Sequence, residues 1–142
     1  MQYILLDLNY TLAESISLNI GNFSYDVSKD VYSHELVNKI NQTYPEKKIF
    51  LVTARTDNYK EETIKKIESE LDLEIYHYEF KPFKDKFLPV HEFKAQFVEN
   101  LIKQQNLSPK QFIAIESNAN TKAKFKALGI EEVYTRKEFL NK

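Results

Sequence analysis

Two short segments concentrate the side chains able to do chemistry. Residues 3–12 read YILLDLNYTL, an apolar strand that ends on Asp7, with Asn9 and Thr11 directly beyond it. Residues 111–120 read QFIAIESNAN, a second apolar strand that ends on Glu116 and is followed by Ser117 and Asn120. Two buried strands that each deliver a carboxylate at the C-terminal end point to one acidic site at the edge of a parallel sheet. In open α/β sheets that edge is where ligands bind. Asn9 and Asn120 lie close by, but as amides they add no negative charge to it.

The elements that must position these residues follow from the hydrophobic pattern. YILLDL (3–8), KIFLVT (48–53), LEIYHY (73–78), FIAIE (112–116) and EVYT (132–135) read as strands. Most are continuous apolar runs, as expected of strands buried on both faces. Helical patterns alternate with them. Residues 58–71 place Ile64, Ile67 and Leu71 on one face, and Asn58 with Glu61 predicts a capping box. Residues 91–106 place Phe93, Phe97 and Leu101 four apart. Ser108-Pro109 predicts a capped turn, Gly129 a stop after a helix over 119–128, and Thr135 with Glu138 a last short capped helix. Strands alternating with helices define an α/β chain with a doubly wound parallel sheet.

The longest interval between two strands is 12–47. Its second half, about 31–43, reads as helical, with Val31, Leu36, Val37 and Ile40 available to the core. Its first half is polar with some alternation at Ile16, Leu18 and Ile20. Two readings fit it: a small hairpin flap over the site, within 12–30, or a surface loop with a partly buried edge.

Composition narrows the function classes. At 142 residues the chain is expected to be one domain, 1–142, long enough to bury a real core. A net charge of −1 supplies no global basic field for nucleic acid. With no cysteine there are no disulfides, thiolate metal sites or thiol catalysis. Two glycines do not suffice for a P-loop or a GxGxxG fingerprint. No apolar run is long enough to span a membrane, and the N-terminus has no signal-type pattern, so a cytoplasmic location is expected.

In four places, taken in order, the chain resembles the haloacid-dehalogenase (HAD) superfamily of phosphohydrolases. Asp7-Leu8-Asn9-Tyr10-Thr11 is similar to the family's Asp-x-Asp-x-Thr motif except at its third position. FLVTAR supplies Thr53 where the family carries Ser or Thr after strand two, and HEFKAQFVENLI supplies Lys94 where it carries a lysine. Ile115-Glu116-Ser117-Asn118-Ala119-Asn120 matches the placement of the acidic motif after strand four, with Glu for its first Asp and Asn for its second. The TAR and EFK segments also resemble HAD-type domains of phage and RNA-repair phosphatases, which would put a phage-encoded chain in the host cytoplasm.

The resemblance implies a Rossmann-like sheet of about five strands, ordered 5-4-1-2-3, with no large cap domain. It implies that Asp7 is a nucleophile forming an aspartyl-phosphate. Mg²⁺ would be held by Asp7, Asn9 and Glu116, with Asn120 holding a metal-bound water through its amide oxygen. Thr53 and Lys94 would neutralise phosphate charge, and Thr11, Arg55 and Ser117 are candidate substrate contacts. Asn9 occupies the family's acid/base position, where an amide exchanges no proton at useful pH. General acid–base help of this kind is worth about 10²–10⁴ in rate. The implied function is a weakened phosphatase acting on a small phosphate ester or a nucleic-acid terminal phosphate. The alternative is an inactive HAD-fold protein that binds a partner, protein or nucleic acid. The loop FKPFKDKF (80–87) should lie at the same sheet edge. Its alternating phenylalanine and lysine suit either stacking of bases, as in single-strand binders, or a solvated loop that tucks Phe83 or Phe87 into the core. His34, His77 and His91 read as ordinary polar residues.

Overall fold

The computed structural model describes residues 1–14 and 25–142. Its elements run β1 (Gln2–Leu6), β2 (Ala13–Glu14), β3 (Val31–Tyr32), α1 (His34–Thr43), β4 (Lys47–Thr56), α2 (Lys60–Glu70), β5 (His77–Lys81), α3 (Val90–Gln105), β6 (Phe112–Ile115), α4 (Ala119–Ala127), β7 (Glu132–Tyr134) and α5 (Arg136–Leu140). Five strands form one sheet in the order β5-β4-β1-β6-β7, all pairs parallel. Counted as strands one to five along the chain, this is the expected order 5-4-1-2-3. β2 and β3 form a separate antiparallel pair. The alternating residues Ile16, Leu18 and Ile20 lie outside the described residues.

The pleat sorts each apolar run onto two cores. Ile4, Leu6, Ile49, Leu51, Ile113 and Ile115 face one layer, where Leu36 and Ile40 of α1, Ile67 of α2 and Phe139 of α5 meet them. Leu5, Phe50, Val52, Phe112 and Ala114 face the other, against Phe93 and Val98 of α3 and Phe125 of α4. Burying one such large side chain is worth about 1.5–3 kcal/mol, so the continuous runs in β1, β4 and β6 are what hold the sheet central. Caps appear where the sequence places them. Ser108 and Gln111 close a box at a short turn, Thr135 and Glu138 close another at α5, and Gly129 adopts φ +100° after α4. A side chain at that positive φ would be strained.

Five expectations are corrected. α1 starts at His34, capped by Ser33, so Val31 is not a core residue of that helix but an exposed residue of β3. Ser33 accepts the Leu36 N–H, which sets the start there. The Asn58–Glu61 box does not form: Asn58 Oδ1 accepts the Thr56 hydroxyl, and α2 begins at Lys60 without a side-chain cap. β4 runs through Thr56 rather than stopping at 53, with a register shift between Thr53 and Thr56. β5 covers 77–81 rather than 73–78. Leu71 and Leu73 are buried on the way into the sheet, and Pro82, which has no N–H to donate, ends the strand. Phe80 and Lys81 are therefore buried strand residues, and Phe83 and Phe87 are exposed rather than tucked into the core. Among the described residues, no helix is long and apolar enough to cross a membrane.

Candidate active site

β1 and β6 release their carboxylates at the same sheet edge. The Asp7 N–H still donates to Ile115 O at 3.0 Å, and the Glu116 N–H to Tyr134 O at 2.8 Å, so each residue leaves the ladder one step past its strand. The turn after Asp7 is tight: Ala13 N–H donates to Leu8 O at 2.9 Å, Tyr10 takes φ 65°, and Leu8, Leu12 and Ala13 are fully buried beneath it. A non-glycine residue at positive φ is uncommon and held only where the surroundings enforce it. Arg136 pins the same turn from α5, donating to Thr11 O at 2.9 Å and to Glu14 at 2.7 Å.

Lys94, on the first turns of α3, reaches this edge from the second layer. Its ammonium donates to Asp7 Oδ1 and to Glu116 Oε1, 2.7 Å each. Asp7 Oδ2 accepts from Ser117 Oγ at 2.7 Å, Thr11 Oγ1 at 2.9 Å and the Ser117 N–H at 3.3 Å. Glu116 Oε2 accepts the Asn118 N–H at 3.0 Å. All three charged groups are buried, so one ammonium serves two desolvated carboxylates. The division is uneven. Burial pushes Asp7 up, but the Lys94 charge and the donors from Lys94, Ser117 and Thr11 hold it below its ordinary range. Glu116 has fewer donors, and burial dominates, pushing it up to about 7. Burial alone would lower Lys94; the two carboxylates raise it instead.

A second cluster adjoins the first. Arg55, fully buried within the β4 irregularity, makes a bidentate pair with Asp30 (2.8 and 3.1 Å) and donates to Thr63 Oγ1 at 3.1 Å. It also donates to Asn9 Oδ1 at 2.9 Å. The Asn9 amide donates to the Tyr25 hydroxyl at 3.3 Å, and the guanidinium lies 4.8 Å from the Tyr25 ring centre. Thr53 Oγ1 accepts the Arg55 N–H at 3.0 Å, which leaves its own proton to donate. The Ser117 hydroxyl links the clusters, lying 2.7 Å from Asp7 Oδ2 and 3.2 Å from Asn9 O.

Asp7, Thr11, Lys94, Glu116 and Ser117 thus share one hydrogen-bonded group, with Asn9, Arg55 and Thr53 in the adjoining one. Asn120 sits apart. It is exposed on α4 and lines a shallow groove of about 290 Å³ with His91, Ala123 and Lys124, and among the described residues it makes no hydrogen bond to the carboxylates. Asn118, not Asn120, caps α4. Sequence reasoning missed Asp30, Tyr25 and Arg136. Asp30 and Tyr25 fall in the interval without periodicity, where nothing marks one polar residue above another.

The donor set suits a hard cation in kind. Asp7, Glu116 and the Asn9 carbonyl are all oxygens, and the shared Ser117 hydroxyl shows that two of them converge. Once Glu116 is ionised, two buried carboxylates face one ammonium. Among the described residues no third carboxylate or histidine joins them.

The fold is a haloacid-dehalogenase-like Rossmann fold: a five-stranded parallel sheet between two helical layers, with no large cap among the described residues. Solved structures agree. The Pnkp1/Rnl/Hen1 RNA repair complex aligns at TM-score 0.64 and 12% identity, covering 94% of this chain and 42% of that one. The 3-deoxy-D-manno-octulosonate 8-phosphate phosphatase of Moraxella catarrhalis, in complex with magnesium, phosphate and its sugar, aligns at 0.54 and 10%, over 87% and 61%. The cobalt-bound deoxy-D-mannose-octulosonate 8-phosphate phosphatase of Haemophilus influenzae aligns at 0.54 and 10%, over 98% and 82%. The chain therefore spans less than half of the first of these proteins. No family model matches the chain, and no curated protein sequence matches it.

Proposed function

We propose that the chain is a phosphohydrolase of the HAD type that works through an aspartyl-phosphate on Asp7, with slow turnover. One observation carries this reading: Asp7 is buried at the sheet edge yet kept ionised by Lys94, Thr11 and Ser117. An Asp7 oxygen attacks phosphorus, and the bond from phosphorus to the ester oxygen breaks. Lys94 and the Thr53 hydroxyl offset charge on the phosphate oxygens. The departing oxygen takes its proton from solvent, because the Asn9 amide is too weak an acid to give one. Water then attacks the phosphoryl group, releases phosphate and regenerates Asp7. Asp7, Glu116 and the Asn9 carbonyl would hold Mg²⁺, which supplies Lewis-acid stabilisation of the phosphoryl charge when bound. The substrate is a small phosphate ester or a nucleic-acid terminal phosphate in the cytoplasm.

The test is phosphate release from p-nitrophenyl phosphate with millimolar Mg²⁺. Wild type should turn over slowly and Asp7→Asn not at all; equal rates in both would refute the assignment. A second reading draws on Asn9. Its amide is fixed between Arg55 and Tyr25, an arrangement that equally serves a binding protein that has given up hydrolysis.

A further inference from the structure

The loop after β5 exposes two phenyl rings. Phe83 is 46% exposed and Phe87 78%, whereas every other described phenylalanine is buried or half-buried. The loop is built rather than slack. Pro82 and Pro89 flank it, and Asp85 N–H donates to Pro82 O at 2.9 Å, Lys86 N–H to Phe83 O at 3.1 Å and Leu88 N–H to Asp85 O at 2.8 Å. From below, buried Lys81 donates its ammonium protons to the carbonyls of Lys86 and Leu88, and Asp57 Oδ1 accepts the Phe83 N–H at 3.1 Å. A buried lysine spent on two loop carbonyls fixes the backbone that carries the rings. Lys86 Nζ lies 4.1 Å from the Phe83 ring centre and 5.4 Å from that of Phe87. With Lys84 and Lys86 against Asp85, the exposed loop carries a surplus of positive charge.

The loop leaves β5 at the C-terminal edge, the edge at which Asp7 leaves β1. β4 alone separates the two strands, a gap of two strand spacings, roughly 10 Å. Tyr10, 62% exposed on the site's own turn, adds a third ring at that edge.

We infer that Phe83, Phe87 and Lys86 form a stacking platform for single-stranded nucleic acid, placing its phosphate-bearing end at Asp7. This rests on the phosphohydrolase reading and narrows its substrate to a polynucleotide end. Rings on a rigid backbone stack bases without sequence preference, and neighbouring ammonium groups take the phosphates. The Lys86 ammonium now over the rings exchanges them for a backbone phosphate when bases arrive.

The experiment is fluorescence anisotropy of a labelled single-stranded oligonucleotide of about ten nucleotides carrying a 3′-phosphate, on the full chain with a chelator present so that nothing turns over. Wild type should bind at low salt. Each of Phe83→Ala and Phe87→Ala should weaken binding about tenfold, at the scale of one stacked base, and Phe83→Tyr with Phe87→Tyr should restore it. Lys86→Gln should lower the salt slope by about one. Wild-type affinity in the double alanine variant would overturn the platform, as would failure of the tyrosine pair to restore binding. Equal competition by a mononucleotide would overturn the strand as ligand. The two readings fail separately. Ring-dependent binding without turnover of p-nitrophenyl phosphate removes the hydrolase alone, and turnover without oligonucleotide binding removes the platform alone.

Discussion

Glu116 is a buried carboxyl that burial holds well above its ordinary range. Folded, it keeps its proton up to about 7; unfolded, it releases it near 4.5. Between those values the folded state binds more protons, so its stability falls as pH rises. Asp7 has the opposite sign: its contribution is lost as pH falls through its depressed folded value. Glu116→Gln keeps an acceptor for Lys94 but removes the titration. Wild type should lose up to a few kcal/mol in urea unfolding between about pH 5 and about pH 8, and the variant should lose much less. A parallel loss in both would contradict the assignment. Asn9→Asp restores a carboxyl at the acid/base position. Arg55, at 2.9 Å from the present amide oxygen, will hold that carboxyl ionised. The gain in turnover should therefore fall at or below the lower end of the usual 10²–10⁴, measured as kcat on an alkyl phosphate. Asp7, Lys94 and Glu116 were legible in the sequence because each is tied to a periodic apolar segment. Asp30 and Tyr25 were not, since their roles come from a fold-back that only Arg55 reveals.

At the scale of elements, the irregular end of β4 and the segment before β3 depend on one ion pair. Arg55 and Asp30 have fully buried side chains and face each other at 2.8 Å. Removing one partner leaves an uncompensated buried charge, so Asp30→Ala should cost about 3–5 kcal/mol, read by denaturant unfolding. A loss under about 1 kcal/mol, the range of an exposed pair, would show that water reaches Arg55. The boundaries explain what the sequence concealed. A run of apolar residues over 73–78 matches a strand by composition, but the ladder is set by pairing with β4, which begins with Phe50 opposite His77. The irregularity sets three residue steps on β4, Thr53 to Thr56, against one on β5, Phe80 to Lys81, and such a register shift leaves no compositional mark, so the extension of β4 to Thr56 and the inward aim of Arg55 were invisible. Helix caps fared better where a box was complete, at Ser108 and Thr135, than at Asn58, whose oxygen a neighbouring threonine claimed.

For the whole molecule, the order of strands and the two-layer core follow from alternation of continuous apolar strands with amphipathic helices, which is why they were readable. Convergence of the site is a consequence of that topology: β1 and β6 are neighbours, and both end at one edge. Mg²⁺ that binds only the folded chain should raise Tm in proportion to occupancy. Asn120→Asp should leave that shift unchanged, because position 120 faces His91 and Lys124 rather than the carboxylates. An enlarged shift would bring position 120 into the metal site.

The central claim is that Asp7 is the nucleophile, and its most direct measurement is trapping of the covalent intermediate. With Asn9 unable to activate water, the acyl phosphate should decay slowly and accumulate. Rapid acid quenching during turnover of an aryl phosphate, followed by peptide mass spectrometry, should find a phosphoryl group on Asp7 and an initial burst of phenol release. Steady hydrolysis with no adduct on Asp7, or with the adduct on another residue, would contradict the account.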